Sequence, residues 1–181
     1  MFEAGETVGV GWGLLLLREA ETGTNELEVW EPDFVSMPIR WVRGVNMTER
    51  HLILQKSNAE ALSVEPVFPS LRQPCSVGPS WQQYRTFHLW RETNEEPHSG
   101  WVVGHDPAVD TIDLCSLYEV GCQLPIAIPF FALPEGAEVE ISPQRIEMRY
   151  DERRVSSDDN ALLRLLLSSK FARAPSSAAD G

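Results

Sequence analysis

The sequence predicts an α+β fold, a single domain with a mostly antiparallel β-sheet and one or two helices packed on one face. Three observations predict it. Short segments alternate apolar and polar residues with a period of two, and two longer stretches change to a helical period. Thirteen prolines demand many turns and short elements. A chain of 181 residues that is 43% hydrophobic and 23% charged can bury a core of its own.

From Thr7 to Arg18, residues Val8, Val10, Trp12, Leu14 and Leu16 alternate with small or polar neighbours, as in a strand. Glu26 to Trp30 alternates again, with Leu27 and Val29 opposite Glu26 and Glu28, so residues 7–30 are expected to form a β-hairpin joined by Thr22-Gly23-Thr24-Asn25. Pro32 and Pro38 bracket a break, and Ile39 to Arg43 reads as a further strand ending at Gly44. The period then changes. Asn46 or Thr48 is expected to cap a helix from near Met47 to about residue 62, although His51-Leu52-Ile53-Leu54 alone also suits a strand.

Residues 63–80 carry Pro66, Pro69, Pro74 and Pro79 and read as a connection over the surface. Trp81 to Arg91 returns to alternation, with Tyr84, Thr86, His88 and Trp90 on one face and Arg85, Phe87 and Leu89 on the other, which implies a central strand. The polar turn 92–97 leads to a short buried strand framed by Gly100 and Gly104, a second hairpin. An acidic loop follows to Asp113. Leu114 to Val120 is expected as a strand or short turn, Gln123 to Phe131 as a proline-interrupted apolar segment, and Ala137 to Ile141 as a final strand with Val139 and Ile141 inward. Ser156, Ser157 and Asp158 are expected to cap a helix from about Asp159 to Phe171, with Leu162, Leu163, Leu166 and Leu167 as its apolar stripe. The expected organisation is one domain over residues 1–155, a docked C-terminal helix over 156–173 and a disordered tail over 174–181.

Bulk charge narrows the function. Twenty-seven acidic residues stand against fifteen basic ones, a formal net charge of −12 at pH 7. Such a surface repels phosphate backbones, so nucleic acid is not an expected partner. It suits a basic protein, through long-range steering, and it also serves plain solubility. Three cysteines without CxxC spacing argue against a disulfide framework or a zinc site and for a reducing compartment. The N-terminus is acidic where a signal peptide is basic, and the apolar run Leu14 to Leu17 is too short to span a membrane, so a cytoplasmic location is expected.

The residues that carry chemistry point away from catalysis. His88, His98 and His105 lie near Cys115 and Cys122 in sequence but match no metal-ligand spacing, and neither a metal nor another cofactor is expected. Cys115, His105 and Asp106 or Asp113 contain the groups of a thiol catalytic set, yet no nucleophile elbow, phosphate-cradling loop or HExxH helix accompanies them. Asp106, Asp110, Asp113 and Glu119 instead gather beside Trp101 and Tyr118, as a carboxylate rim around aromatic anchors would at a surface that grips a basic partner. Phe130, Phe131 and Leu133 read as core.

The order Ser99-Gly100-Trp101, Gly104-His105-Asp106, Ser116-Leu117-Tyr118-Glu119 and Pro129-Phe130-Phe131-Ala132-Leu133-Pro134-Glu135-Gly136 resembles the immunity protein 33-like family of bacterial polymorphic-toxin systems, over about residues 85–141. The acidic run between Trp and Tyr is thinned here to Asp106, Asp110 and Asp113. The resemblance implies an immunity protein that binds a cognate secreted antibacterial toxin and occludes its active site, without catalysis. Its expected partner-binding residues are Trp101, His105, Asp106, Asp110, Asp113, Tyr118 and Glu119, with the aromatics as anchors or as supports of the anchors. Two other classes stay open at this point. One is a small enzyme that reverses a toxin's modification or acts on a metabolite, and the other is a general protein-interaction module.

Overall fold

The computed structural model describes residues 3–21, 26–93, 95–104 and 113–171. Near the N-terminus, strands β1 (Thr7–Val10), β2 (Gly13–Glu19), β3 (Leu27–Pro32) and β4 (Trp41–Arg43) form a four-stranded antiparallel meander in that order. The single strand expected over 7–18 is therefore two. Gly11, at φ 59°, turns the chain so that Val10 pairs with Gly13, and the turn sinks Trp12 completely into the core. A Cβ on Gly11 would meet the Leu52 side chain at 2.7 Å, so both space and φ require glycine there. The β2–β3 pairing agrees with the expected hairpin, whose connecting residues 22–25 lie outside the described residues.

Helix α1 (Asn46–Ala61) forms where the helical period began, but neither Asn46 nor Thr48 caps it. The cap residue is Val45, and the N-terminus is instead met by the buried carboxylate of Glu31 from β3. Met47 N–H donates to it at 3.0 Å and Thr48 N–H at 2.7 Å. A negative charge there satisfies two orphan amides and complements the helix dipole. The inward face of α1 is polar, with Thr48, His51, Gln55 and Asn58 buried beside Ala59. Gln55 Nε2 donates to Ile128 O and Asn58 Nδ2 to Pro129 O, so the helix pins the proline-bearing 3-10 segment Pro125–Phe130 through that segment's carbonyls.

The second sheet has seven strands: β5 (Pro74–Val77), β6 (Phe87–Arg91), β7 (Trp101–Gly104), β8 (Asp113–Ser116), β9 (Glu138–Ile141), β10 (Ile146–Tyr150) and β11 (Arg153–Ser156). Their order is β11-β10-β9-β6-β7-β5-β8, and only β5 and β7 run parallel. Three expectations are corrected here. The stretch 63–80 is not all connection, because Pro74 opens β5, whose position between β7 and β8 is interior to the sheet; proline is tolerated at a strand's first residue. Only the last five residues of 81–91 are strand, since Ser80 at φ 54° turns the chain into the 3-10 segment Trp81–Gln83. Nor is β9 the last strand, as β10 and β11 follow in a hairpin that turns at Asp151, φ 49°. The central position of β6 and the β6–β7 hairpin agree with the sequence.

Helix α2 (Leu117–Gln123) continues directly from β8, and α3 (Ala161–Phe171) closes the described chain. With α1, these are the α-helices among the described residues, and the α+β class is as the sequence predicts. Asn160 rather than the preceding serines caps α3, its Oδ1 accepting from Leu163 N–H at 3.1 Å. Leu163 is fully buried, and Leu166 and Leu167 pack partly buried beside it, as the leucine stripe required. One apolar cluster runs from Trp12 and Phe34 in the meander, through Leu71, Trp101 and Phe131, to Met148 and Leu163. The tail 174–181 lies outside the described residues.

Candidate interaction surface

Ser99-Gly100-Trp101 is built into the framework. Ser99 N–H and Oγ both donate to Pro74 O at 2.9 Å, which ties the entry of β7 to β5. Gly100, at φ 80°, leaves no room for a side chain, because a Cβ would stand 2.4 Å from Glu92 O. Trp101 is fully buried, with Nε1 donating to Phe131 O at 3.0 Å. Arg91 gathers the neighbouring carbonyls, donating from Nε to Ser99 O and from Nη1 to Val67 O and Leu133 O, with its guanidinium 5.9 Å from the Trp101 ring. Burial depresses its pKa and Glu135 opposes the shift. Phe130, Phe131 and Leu133 have no exposure, as read from the sequence.

Ser116-Leu117-Tyr118-Glu119 is a helix start. Ser116 Oγ accepts from Glu119 N–H at 3.1 Å, and Leu117 is wholly buried. Tyr118 is 2% exposed, and its hydroxyl donates to Ser36 O at 3.1 Å and to Asp33 Oδ1 at 3.3 Å. Burial first, then Cys122 and Asp33, push its phenol pKa upward. Asp33 is the organiser of the β3–β4 loop. Its carboxylate accepts from Val35 N–H, Ser36 N–H and Ser36 Oγ. Burial alone would raise its pKa, but these bonds and the one from Tyr118 outweigh it and hold the carboxyl below its ordinary value. Phe34, at φ 54°, points into the core 4.5 Å from the His51 ring, while Val35 and Met37 are left 73% and 52% exposed. A loop bound this closely presents apolar side chains in a fixed geometry.

The seven expected contact residues therefore separate. Trp101 and Tyr118 are interior, so they do not serve as exposed anchors; Tyr118 bonds the β3–β4 loop from beneath, and Trp101 belongs to the framework around Phe131 and Arg91. Asp113 is exposed at the start of β8, and Glu119 is half-buried on α2, 3.4 Å from Gln123 Nε2. His105, Asp106 and Asp110 lie outside the described residues. The charge count could not reveal the apolar members of this corner. Leu114, 68% exposed on β8, stands beside Asp113, and Val35 and Met37 project from the loop held by Tyr118. Strand β8 ends the sheet, so its outer backbone edge faces away from β5.

A second surface is the face of β6, β9 and β10 turned away from the core. Register sets His88 opposite Glu140 and Trp90 opposite Glu138, around a shallow depression of about 150 Å³. Glu147 in the next strand is buried and held by Arg145, Arg149 and Arg154. Burial raises its pKa, and the Arg154 and Arg149 guanidinia more than reverse the effect. The alternation of β6 had already placed His88 and Trp90 together; their acidic neighbours come from a strand fifty residues away, which no local pattern reports.

Among the described residues no group of three or more His, Cys, Asp or Glu side chains could hold a metal ion. Cys115, the nucleophile of the thiol set considered above, lies against another thiol, with its Sγ 3.9 Å from Cys75 Sγ. No helix among the described residues is long and apolar enough to cross a membrane.

A family model for the Imm33-like domain matches residues 54–152, more than half of the chain. The chain belongs to the Imm33-like family. The match extends the resemblance of residues 85–141 back into α1 and forward through β10, so the Imm33-like domain takes in the C-terminal half of α1 and nearly all of the seven-stranded sheet. The four-stranded meander precedes it. No curated protein and no solved structure matches the chain.

Proposed function

We propose that this protein is an immunity protein that neutralises a cognate secreted antibacterial toxin by binding it directly and covering its active site, in the cytoplasm of the producing cell. Membership of the Imm33-like family carries the reading. The corner formed by β8, α2 and the β3–β4 loop is the surface we assign to the toxin. Asp113 and Glu119, with Asp106 and Asp110 of the preceding segment, supply negative charge for a basic partner, His105 of that segment supplies a polar contact, and Leu114, Val35 and Met37 supply apolar contact. Tyr118 steadies that corner from beneath through its bonds to Ser36 O and Asp33 Oδ1.

Co-expression with the toxin encoded beside this gene is expected to rescue growth and to yield a complex on size exclusion. The double variant Asp113→Lys, Glu119→Lys is expected to weaken the complex by at least about tenfold, mainly through slower and less salt-dependent association, with the fold retained. Full rescue by trace amounts of the protein would point to an enzyme instead, because an inhibitor protects one toxin per molecule.

A further inference from the structure

Cys75 and Cys115 are forty positions apart in sequence, and the structure sets them directly opposite each other in the antiparallel pair β5–β8, their sulfurs 3.9 Å apart. Directly opposed residues of antiparallel strands have Cα atoms about 4.5–5.5 Å apart, inside the range that a disulfide bridges. Closing the remaining gap requires a small side-chain rotation and a slight approach of the strands. Strand β8 can make that approach because, among the described residues, it has a strand neighbour on one side only. The two sulfurs also differ in access, since Cys75 is completely buried whereas Cys115 is half-buried. Cys122 lies elsewhere, on α2 beside Tyr118 and Asp33.

We propose that Cys75 and Cys115 are a redox site that closes to a cross-strand disulfide and staples the edge strand β8 to β5. The oxidant is a low-molecular-weight disulfide. The Cys115 thiolate attacks one of its sulfurs, a mixed disulfide forms and the first small thiolate leaves. Cys75 then attacks the Cys115 sulfur, expels the second small thiolate and completes the bond. Two protons and two electrons leave the protein, and one small disulfide becomes two thiols. The adjacent Cys115 and its own burial push the Cys75 thiol pKa up, so Cys115 is the entry point and the attack by Cys75 is the slower step. The site needs no toxin, and its test is separate from that of the function proposed above.

The test uses the full chain, incubated with oxidised glutathione and then alkylated under native and denaturing conditions before mass spectrometry. The expected product has lost two hydrogens, keeps one alkylatable thiol of its three, and yields a linked peptide pair containing Cys75 and Cys115. Cys122→Ser is expected to form the same link with no thiol left over, and Cys115→Ser to form none. A glutathione adduct on Cys115 that persists to the end point, a Cys115–Cys122 link, or three unreacted thiols would each overturn the proposal.

Discussion

The meander and the seven-stranded sheet share one core but enter it differently. In β1, β3 and β4 most residues are exposed or half-buried, whereas every residue of β7 is buried and β6 alternates between buried and half-buried. The meander is joined to the rest through a few deep insertions: Trp12, Phe34 and the Glu31 carboxylate. The Imm33-like body is held by broad apolar burial and by buried donors such as Trp101 and Arg91. Broad burial gives a body that yields only as a whole. A joint made of a few polar and aromatic contacts yields locally, and the loop bearing Val35 and Met37 belongs to it.

Replacing Trp101 with Ala should cost the most, about 3–5 kcal/mol in denaturant unfolding, because it empties a large buried site and strips Phe131 O of its donor. A lower midpoint with an unchanged slope, so that the body still unfolds in one cooperative transition, is the expected signature. A change confined to residues near β7 would mean that the body is not the single unit described above.

Acid should act at the joint. His51 is buried between Trp12 and Phe34, with Arg50 and Glu31 as its charged neighbours, and burial first, then Arg50, lower its pKa to about 4. Its ordinary value is 6.5, so the unfolded chain takes up the proton first as pH falls. Stability from neutral His51 is complete above pH 6.5 and is lost progressively toward pH 4, by about 3 kcal/mol. Asp33 and Glu147, whose folded pKa values are lowered from 3.8 and 4.5, contribute stability that begins to be lost only as pH falls to those ordinary values, at the acid end of the His51 window and below it. Unfolding measured across that window for the wild type and for His51→Gln should give a flatter curve in the variant; equal slopes would remove His51 from the account.

Glu31→Ala is expected to cost about 2 kcal/mol, since it leaves two helix amides, the Thr48 one buried, without their acceptor. Hydrogen exchange should quicken in the first turn of α1 and in β3 and β4, while β6 and β7 stay protected. Uniform quickening would show that meander and body open together.

Glu31 also shows where sequence reasoning stops. The β2–β3 hairpin, α1, the β6–β7 hairpin and the leucine stripe of α3 were legible because each rests on a local period or a turn residue. The cap of α1 was not, because its carboxylate is sixteen positions away and nearer polar residues offered a plausible substitute. Strand β5 was hidden by Pro74, and its pairings run to β7 and β8 rather than to a chain neighbour. For the candidate surface, charge pointed to Asp113 and Glu119 as candidates, but residue type alone could not tell a buried Trp101 from an exposed one. The motif that carries the family resemblance is structural here: Ser99, Gly100 and Trp101 are constrained by the carbonyls they serve and by the space they lack.

The smallest expected effect is the one that tests how surface and joint are connected. Tyr118 belongs to the body by its ring and to the meander by its hydroxyl, which reaches Ser36 O and Asp33 Oδ1. Tyr118→Phe keeps the ring and removes both bonds, so stability should fall by only about 1 kcal/mol. The geometry of the β3–β4 loop should suffer more, because Asp33 still fixes Val35 and Ser36 but nothing from α2 then fixes Asp33. If Val35 and Met37 meet the toxin, as proposed, the variant should bind several-fold more weakly with a nearly unchanged thermal midpoint, and the same loss should appear in Ser36→Pro only with unfolding of the loop. Unchanged affinity in Tyr118→Phe would take the β3–β4 loop out of the contact surface and leave β8 and α2 to carry it.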